Sequence, residues 1–148
     1  MAPCLIILGK ESHMKPIIAF VLSAFMLVSC VDYTHETRYD YRDRMIGTYS
    51  VDEYSDTYHE YLYYTMRVSK EYGTRDGLLL KGFYAEGLTV SAYVSGDYID
   101  IPYQITNGYE VEGHGTFYRG EFRLNYTVRD RYSDAPTDYC DAVAYPGY

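Results

Sequence analysis

The chain has 148 residues and a formal net charge of −8, and its aromatic residues are mostly tyrosine, with 21 tyrosines and no tryptophan. The acidic balance argues against nucleic acid and against an anionic membrane surface as partners, because both attract basic patches. The length suits one domain with one hydrophobic core.

An uncharged apolar run ends abruptly at Cys30. Residues 16–29 read PIIAFVLSAFMLVS, whereas residues 31–44 read VDYTHETRYDYRDR. A membrane-spanning helix needs about 20 apolar residues. The apolar region of a secretory signal needs only about 7–15 and follows a positive residue, here Lys15. The pattern therefore predicts a signal peptide over residues 14–29.

The end of this run, Leu27-Val28-Ser29-Cys30, resembles the lipobox of bacterial lipoproteins. The resemblance implies lipid transfer to the Cys30 sulfur, cleavage before that residue and acylation of the new amino terminus by a palmitate-like chain. Several acyl chains anchor a protein stably, since each buried methylene contributes about 0.8 kcal/mol. We expect a lipid-anchored protein of the bacterial cell envelope, at the outer membrane. The alternative is an ordinary secretory signal with a chance cysteine.

The segments on either side of the predicted signal have no periodic pattern. Residues 1–13 precede Met14-Lys15, which has the form of a normal signal-peptide start, so we interpret them as an upstream segment that is not translated. Residues 30–44 are polar and charged, and we expect them to form a lipidated flexible tether. The folded domain is expected over residues 45–148.

From Met45 onward, apolar and polar residues alternate with period two between turn signals. The clearest turns are Gly96-Asp97 and Asn107-Gly108, which suit two-residue hairpins. The pattern predicts strands over residues 45–54, 60–71, 77–83, 88–95, 98–105, 109–118, 121–130 and 137–145. Short connections favour pairing between sequential strands, and closure removes exposed edges. We therefore predict an all-β fold, an eight-stranded antiparallel up-and-down barrel, in preference to a sandwich.

The opening strand and the later hairpins carry a family resemblance. Ile46-Gly47-Thr48-Tyr49 is similar to the Gly-x-Trp start of lipocalins, with tyrosine in place of tryptophan. Residues 82–129 resemble small lipocalin-like (calycin-type) lipoproteins of Bacteroidetes in their order of strands and turns, and the likeness covers about residues 45–144. It implies the fold rather than an activity, because many such relatives have no assigned function.

No motif in the sequence predicts a catalytic centre or a cofactor. There is no Gly-x-Ser-x-Gly elbow, phosphate loop or dinucleotide fingerprint. Glu110, Glu112 and His114 share one face of a strand, but Val111 and Phe117 mark the other face as the interior, so we expect the trio in solvent without a metal. Asp138 and Asp141 lack apolar flanks that would separate their pKa values. We expect a protein that is not an enzyme.

Two binding hypotheses remain. In the favoured one, Gly113 and Gly115 leave room inside the barrel for a small apolar or amphipathic molecule, since eight strands can enclose one small ligand. Its interior contacts would be Tyr64, Met66, Tyr103, Phe117 and Tyr126. In the alternative, the barrel is filled and outward tyrosines bind a glycan or a protein at the cell surface. These tyrosines are Tyr54, Tyr58, Tyr61 and Tyr63. Cys140, left without a partner, is expected to be buried as a small apolar residue.

Overall fold

The structure, a computed structural model, describes residues 39–147. The predicted signal peptide, the lipidation site Cys30 and most of the predicted tether lie outside the described residues. Among the residues described, no helix is long and apolar enough to cross a membrane.

Eight antiparallel strands follow one another around a closed barrel. They are β1 (Gly47–Ser55), β2 (Glu60–Lys70), β3 (Gly77–Phe83), β4 (Leu88–Ser95), β5 (Tyr98–Thr106), β6 (Tyr109–Tyr118), β7 (Glu121–Asp130) and β8 (Asp138–Pro146). Each strand pairs with the next, and β8 pairs with β1. The predicted all-β up-and-down barrel is confirmed, and the strand ends lie within two residues of the prediction.

The inward positions of all eight strands form one core. Its rings touch in pairs: Tyr49 and Phe122 have centroids 4.9 Å apart, and those of Phe117 and Phe122 are 4.7 Å apart. Gly113 and Gly115 do not leave interior space, because the strand β7 closes on them. A Cβ on Gly113 would lie 2.4 Å from the Tyr126 Cβ, and one on Gly115 would lie 2.6 Å from Leu124 Cδ2. These glycines permit close strand approach rather than a cavity.

A short 3-10 helix, η1 (Tyr41–Arg44), packs at the end of the barrel that carries the β2–β3, β4–β5 and β6–β7 turns. We call this the helix end. Arg42 donates to the carbonyls of Thr74 (3.1 Å) and Gly77 (3.0 Å) in the β2–β3 turn. Arg44 donates to the Gly96 carbonyl (2.9 Å) in the β4–β5 turn.

The folded domain begins earlier than the sequence indicates. Residues 40–44 were expected in the flexible tether, but the Asp40 carboxylate accepts from the Arg42 backbone N–H (3.0 Å) and caps η1. Arg42 itself is only 8% exposed. The segment carries no hydrophobic period because charged hydrogen bonds, rather than apolar contacts, attach it to the barrel.

The strand β5 contains a register shift that reverses the predicted orientation of Tyr103. Ile101 pairs with Gly113, but the next pair is Gln104 with Val111, so one extra residue enters β5. Pro102, which has no N–H for the ladder, lies at this irregularity. Tyr103 is consequently 59% exposed, and Ile105 is exposed as well. The prediction that Tyr103 lines the barrel interior is wrong.

Candidate functional site

The end of the barrel opposite η1 contains polar residues at inward positions. We call it the acidic end; its loops are residues 56–59, 84–87, 107–108 and 131–137. Glu53 and Ser55 continue the inward alternation of Tyr49 and Val51, and both are fully buried. Asp138, at the start of β8, is 2% exposed. Together with Tyr64, Tyr84, Tyr126 and Cys140 they form what we call the interior polar cluster.

The Glu53 carboxyl group accepts hydrogen bonds from two tyrosine hydroxyls. Oε2 accepts hydrogen bonds from Tyr64 (2.6 Å) and from Tyr126. Oε1 is buried and has no hydrogen-bond partner among the described residues. Burial raises the pKa of Glu53, and the two tyrosine hydroxyls oppose the rise only in part. An unsatisfied buried acceptor costs about 1–3 kcal/mol, which makes this oxygen a candidate contact for a ligand or a water molecule.

Asp138 joins the β1–β2 and β3–β4 loops to β8. Its Oδ1 accepts from the Ser55 hydroxyl (2.5 Å) and its Oδ2 from the Tyr84 hydroxyl (2.8 Å). Ser55 Oγ in turn accepts from the Tyr58 backbone N–H (3.0 Å). Burial, followed by the hydrogen bond to Asp138, raises the pKa of Tyr84, so its hydroxyl remains a donor at neutral pH. Within the part of the chain that the structure describes, the carboxyl group of Asp138 therefore has hydroxyl partners and no paired cation.

Cys140 is free and buried, as predicted, but its surroundings are polar. Burial is the main cause of its raised pKa, and the Glu53 and Asp138 carboxyls raise it further. Since the thiolate is the reactive form of cysteine, this position does not favour nucleophilic chemistry.

A pocket of about 180 Å³ opens at the acidic end, and we call it the end pocket. Three tyrosines and three acidic residues line it, together with smaller side chains: Tyr58, Tyr84, Tyr109, Glu86, Asp130 and Asp138. The Tyr84 and Tyr109 ring centroids are 6.3 Å apart with the ring planes at 61°, so the two rings form a corner. Because Asp138 belongs to both, the pocket adjoins the interior polar cluster.

The tight β3–β4 loop holds Tyr84 in an unusual backbone conformation. Tyr84 and Ala85 have φ of +57° and +50°, in the left-handed region that non-glycine residues avoid. Such residues cost about 1–2 kcal/mol each. The Tyr84 hydroxyl bond to Asp138 and its ring contact with Tyr109 hold the side chain at the pocket. Strained residues of this kind are frequently found at binding sites.

A larger groove, of about 570 Å³, runs along the outer wall formed by β5 to β8, and we call it the outer groove. Paired outward residues of four neighbouring strands form a row along it: Asp100, His114, Asn125 and Asp141. Tyr103 and Tyr139 also line the groove. Glu112 and His114 face outward here, as the alternation predicted. Over residues 39–147, no group of three or more histidine, cysteine, aspartate or glutamate side chains is arranged to hold a metal ion.

The residues predicted to contact a ligand separate into different places. Tyr64 and Tyr126 meet at Glu53, whereas Met66 and Phe117 are part of the apolar core and Tyr103 lines the outer groove. Whether any of them binds a ligand remains a prediction. Of the predicted tyrosine patch, Tyr61 and Tyr63 are exposed as expected and Tyr54 stacks on Tyr61 with centroids 4.8 Å apart, but Tyr58 lines the end pocket.

The sequence reasoning missed Glu53, set Asp138 aside although it proves to be buried, and missed Tyr84. The first two carried a usable signal, because each occupies the inward phase of its strand, in step with Val51 and with Cys140. Acidic residues at such positions are seldom fully buried without a partner. Tyr84 carried no such signal, because its position depends on a loop and on a contact with a residue far along the chain.

The closed eight-stranded up-and-down barrel is consistent with a lipocalin-like fold. No protein-family model and no curated protein sequence matches this chain.

Proposed function

We propose that this chain is a membrane-anchored lipocalin-like binding protein, held at the outer membrane of a bacterial cell envelope by lipid on Cys30. We further propose that it takes a small ligand at its acidic end. The anchor is supported by the lipobox-like Leu27–Cys30. The observation that carries the ligand proposal is the end pocket, where tyrosine rings and the buried Asp138 adjoin a cluster with one unpaired oxygen, Glu53 Oε1.

The packing of the core argues for a ligand at the end of the barrel rather than deep inside it. The Phe83 and Tyr126 rings, with centroids 4.4 Å apart, fill the barrel beneath the acidic end, and Gly113 is covered by Tyr126. At about 30 Å³ per water-sized group, the end pocket holds roughly six non-hydrogen atoms. The proposed ligand is therefore a small amphipathic molecule, or the head group of a larger one.

The anchor and the ligand can be tested on one preparation. The full chain and the variant Cys30→Ser are each expressed in a bacterium that processes lipoproteins. The intact mass of each purified protein is then measured by mass spectrometry. We expect a protein that begins at residue 30 with added lipid mass, and no added lipid in the variant. An unlipidated wild type would contradict the anchor.

Native mass spectrometry of the same wild-type preparation tests the ligand. We expect an additional mass that is lost on denaturation and reduced in Tyr84→Phe, because that change removes the hydroxyl that positions Tyr84 against Asp138. Tyr63→Phe is the matched control, because Tyr63 is 71% exposed and lies outside the end pocket. A bare chain mass that persists after incubation with amphipathic extracts would refute the ligand proposal.

A second candidate function is glycan binding at the outer wall, and the outer groove favours it. Tyr103 and Tyr139 offer rings for stacking on sugars, and the Asp100–Asp141 row offers hydrogen-bonding groups. Asp141, at the end of the row, pairs with Tyr54 on β1, and Tyr54 pairs with Tyr61 on β2. These pairs join the outer groove to the predicted tyrosine patch. Loss of glycan retention in Tyr103→Ala, with no loss in Tyr72→Ala at the helix end, would support this candidate. Equal retention by both variants would refute it.

A further inference from the structure

We propose that the end pocket binds a small organic cation, an alkylammonium ion of about five or six non-hydrogen atoms. This inference rests on the proposed function and specifies the ligand's chemical class. It follows from the charges, the ring geometry and the hydrogen bonds around the pocket.

The lining of the end pocket is acidic and lacks a compensating positive charge. Glu86, Asp130 and Asp138 contribute carboxyl groups, and none of the described residues that line the pocket is lysine, arginine or histidine. The nearby Arg131 pairs with Glu110, with 3.5 Å between Nε and Oε1. A cation in the pocket would therefore meet several carboxylates and no competing basic side chain, whereas an anion would be repelled.

The tyrosine rings supply the second feature that a cation requires. Tyr84 and Tyr109 form the corner described above, and Tyr58 contributes a third ring to the lining. Ring faces attract cations that approach within about 6 Å of the centroid, and groups of aromatic rings recognise alkylammonium ions in this way. The alkyl groups of such an ion would pack on the rings while its charge faces the carboxylates.

The buried groups beside the pocket give an independent reason to place a ligand there. Asp138 accepts hydrogen bonds from the neutral hydroxyls of Ser55 and Tyr84, and it forms no ion pair with the residues that the structure describes. Glu53 belongs to the same interior polar cluster but does not line the pocket, and one of its buried oxygens has no partner among the described residues. A ligand that brings positive charge into the pocket would face the buried carboxyl of Asp138, which has no cationic partner among the described residues.

Probes matched in shape but different in charge test this inference. The full chain, in a non-ionic detergent and with ring-labelled tyrosine, is titrated with tetramethylammonium, n-butylammonium, neopentyl alcohol and butyrate while tyrosine signals are followed by NMR. Tyr84→Phe and Tyr109→Phe assign the pocket signals. We expect both ammonium ions to shift those signals with affinities about tenfold higher than the alcohol, and butyrate to bind weakest.

Variants at two carboxylates outside the core, the exposed Glu86 and the half-buried Asp130, test where the charge acts. The double variant Glu86→Gln and Asp130→Asn is expected to weaken tetramethylammonium binding about tenfold, because two pocket charges are removed. Asp134→Asn is the matched control, since Asp134 lies in the β7–β8 loop but does not line the pocket. Its affinity is expected to stay within about twofold of the wild type.

The possible outcomes distinguish a preference for cationic ligands from the existence of a binding site in the end pocket. If the alcohol shifts the Tyr84 and Tyr109 signals as strongly as the ammonium ions do, the end pocket is a binding site but the cation inference is wrong. If no probe shifts those signals while an additional mass persists in native mass spectrometry, the ligand is of another class and the inference is overturned. If the double variant and Asp134→Asn behave alike, the carboxylates do not select the ligand, and the inference is equally overturned.

Discussion

The two ends of this barrel use carboxyl groups in opposite ways. At the helix end, Asp40 is paired with Arg42 (2.9 Å) and with Lys70 (2.7 Å), and these hydrogen bonds lower its pKa. At the acidic end, Glu53 accepts hydrogen bonds from tyrosine hydroxyls and forms no ion pair with the described residues, and burial raises its pKa. The same chemical group is thus kept charged at one end and favoured in its neutral form at the other.

This difference underlies our proposal that the helix end is structural and that the acidic end takes a ligand. At the helix end, Arg42 is shared between a carboxylate and two turn carbonyls, so charge and acceptors are matched. At the acidic end, a buried oxygen of Glu53 lacks a donor among the described residues. Folded proteins generally accept such local inconsistencies where a site requires them.

The largest expected effect comes from breaking the helix end. Arg42→Met keeps much of the side-chain length but removes the donors to Thr74 and Gly77 and one partner of Asp40. We expect a loss of about 3 kcal/mol in the free energy of unfolding, measured by urea denaturation. Arg75→Met, at an exposed position in the β2–β3 turn, is the control and should change stability by less than about 0.5 kcal/mol. Equal losses in the two variants would mean that η1 is not a structural part of the barrel.

The next effect tests whether the interior below the acidic end is filled. Gly113→Ala would bring a Cβ to 2.4 Å from the Tyr126 Cβ and 2.5 Å from the Asn125 carbonyl oxygen. We expect a loss of about 2 kcal/mol, because backbone atoms as well as a side chain must shift. Gly87→Ala, whose Cβ would meet nothing within 4 Å but whose φ is +72°, should lose only about 1 kcal/mol for its left-handed backbone. A neutral Gly113→Ala would indicate interior space that this packing does not contain.

A smaller effect distinguishes Glu53 from Asp40, because the contributions of these two carboxyl groups to stability change with pH in opposite directions. Because the pKa of Glu53 is raised on folding, the unfolded chain releases this proton first, near pH 4.5, and stability falls as the pH rises towards the folded pKa. Asp40 has the opposite sign: its contribution is present above about pH 3.8 and is lost as the pH falls. Glu53→Gln should flatten the alkaline side of the stability curve, and Asp40→Asn the acid side. Unfolding measured from about pH 2 to pH 8 covers the Glu53 window and the upper part of the Asp40 window. An unchanged alkaline slope in Glu53→Gln would contradict the assignment.

The smallest expected effect concerns the exposed tyrosines of the outer wall, which take no part in the polar contacts at either end of the barrel. Tyr63→Ser removes a largely exposed ring whose cross-strand partner is Asp52. We expect a change below about 0.5 kcal/mol in the free energy of unfolding. A loss above about 1 kcal/mol would show that outer-wall tyrosines stabilise the barrel, and would weaken the case that they are free to bind a glycan.

The fold followed from the sequence because alternation and turn residues recur in every strand. Asn107-Gly108 and Gly96-Asp97 fixed two hairpins, and closure was the arrangement that left no edge. The orientation of Tyr103 was predicted wrongly because the extra residue beside Pro102 reverses the inward and outward alternation of the strand. A period-two pattern in the sequence does not show such an insertion. Asp40 and Arg42 were assigned to a tether because their attachment depends on carbonyl groups of the distant β2–β3 turn.

The candidate site was less predictable than the barrel. Glu53 and Asp138 lie in inward phase and could have been recognised as buried acids, but their hydroxyl partners come from four different strands and loops. Tyr84 reaches Asp138 only because its loop adopts left-handed backbone angles. Contacts between residues so far apart in sequence depend on the closed barrel, and no local pattern encodes them.

Site-specific titration of the carboxyl groups by NMR is the most direct test of the contrast between the two ends. The account predicts that Glu53 titrates above its ordinary value of 4.5 while Asp40 titrates below 3.8 in the same sample. Adding tetramethylammonium should move the Glu53 signal and leave the Asp40 signal unchanged. A Glu53 carboxyl that titrates at or below 4.5 would contradict the account, because the acidic end would then hold a charge that is already compensated.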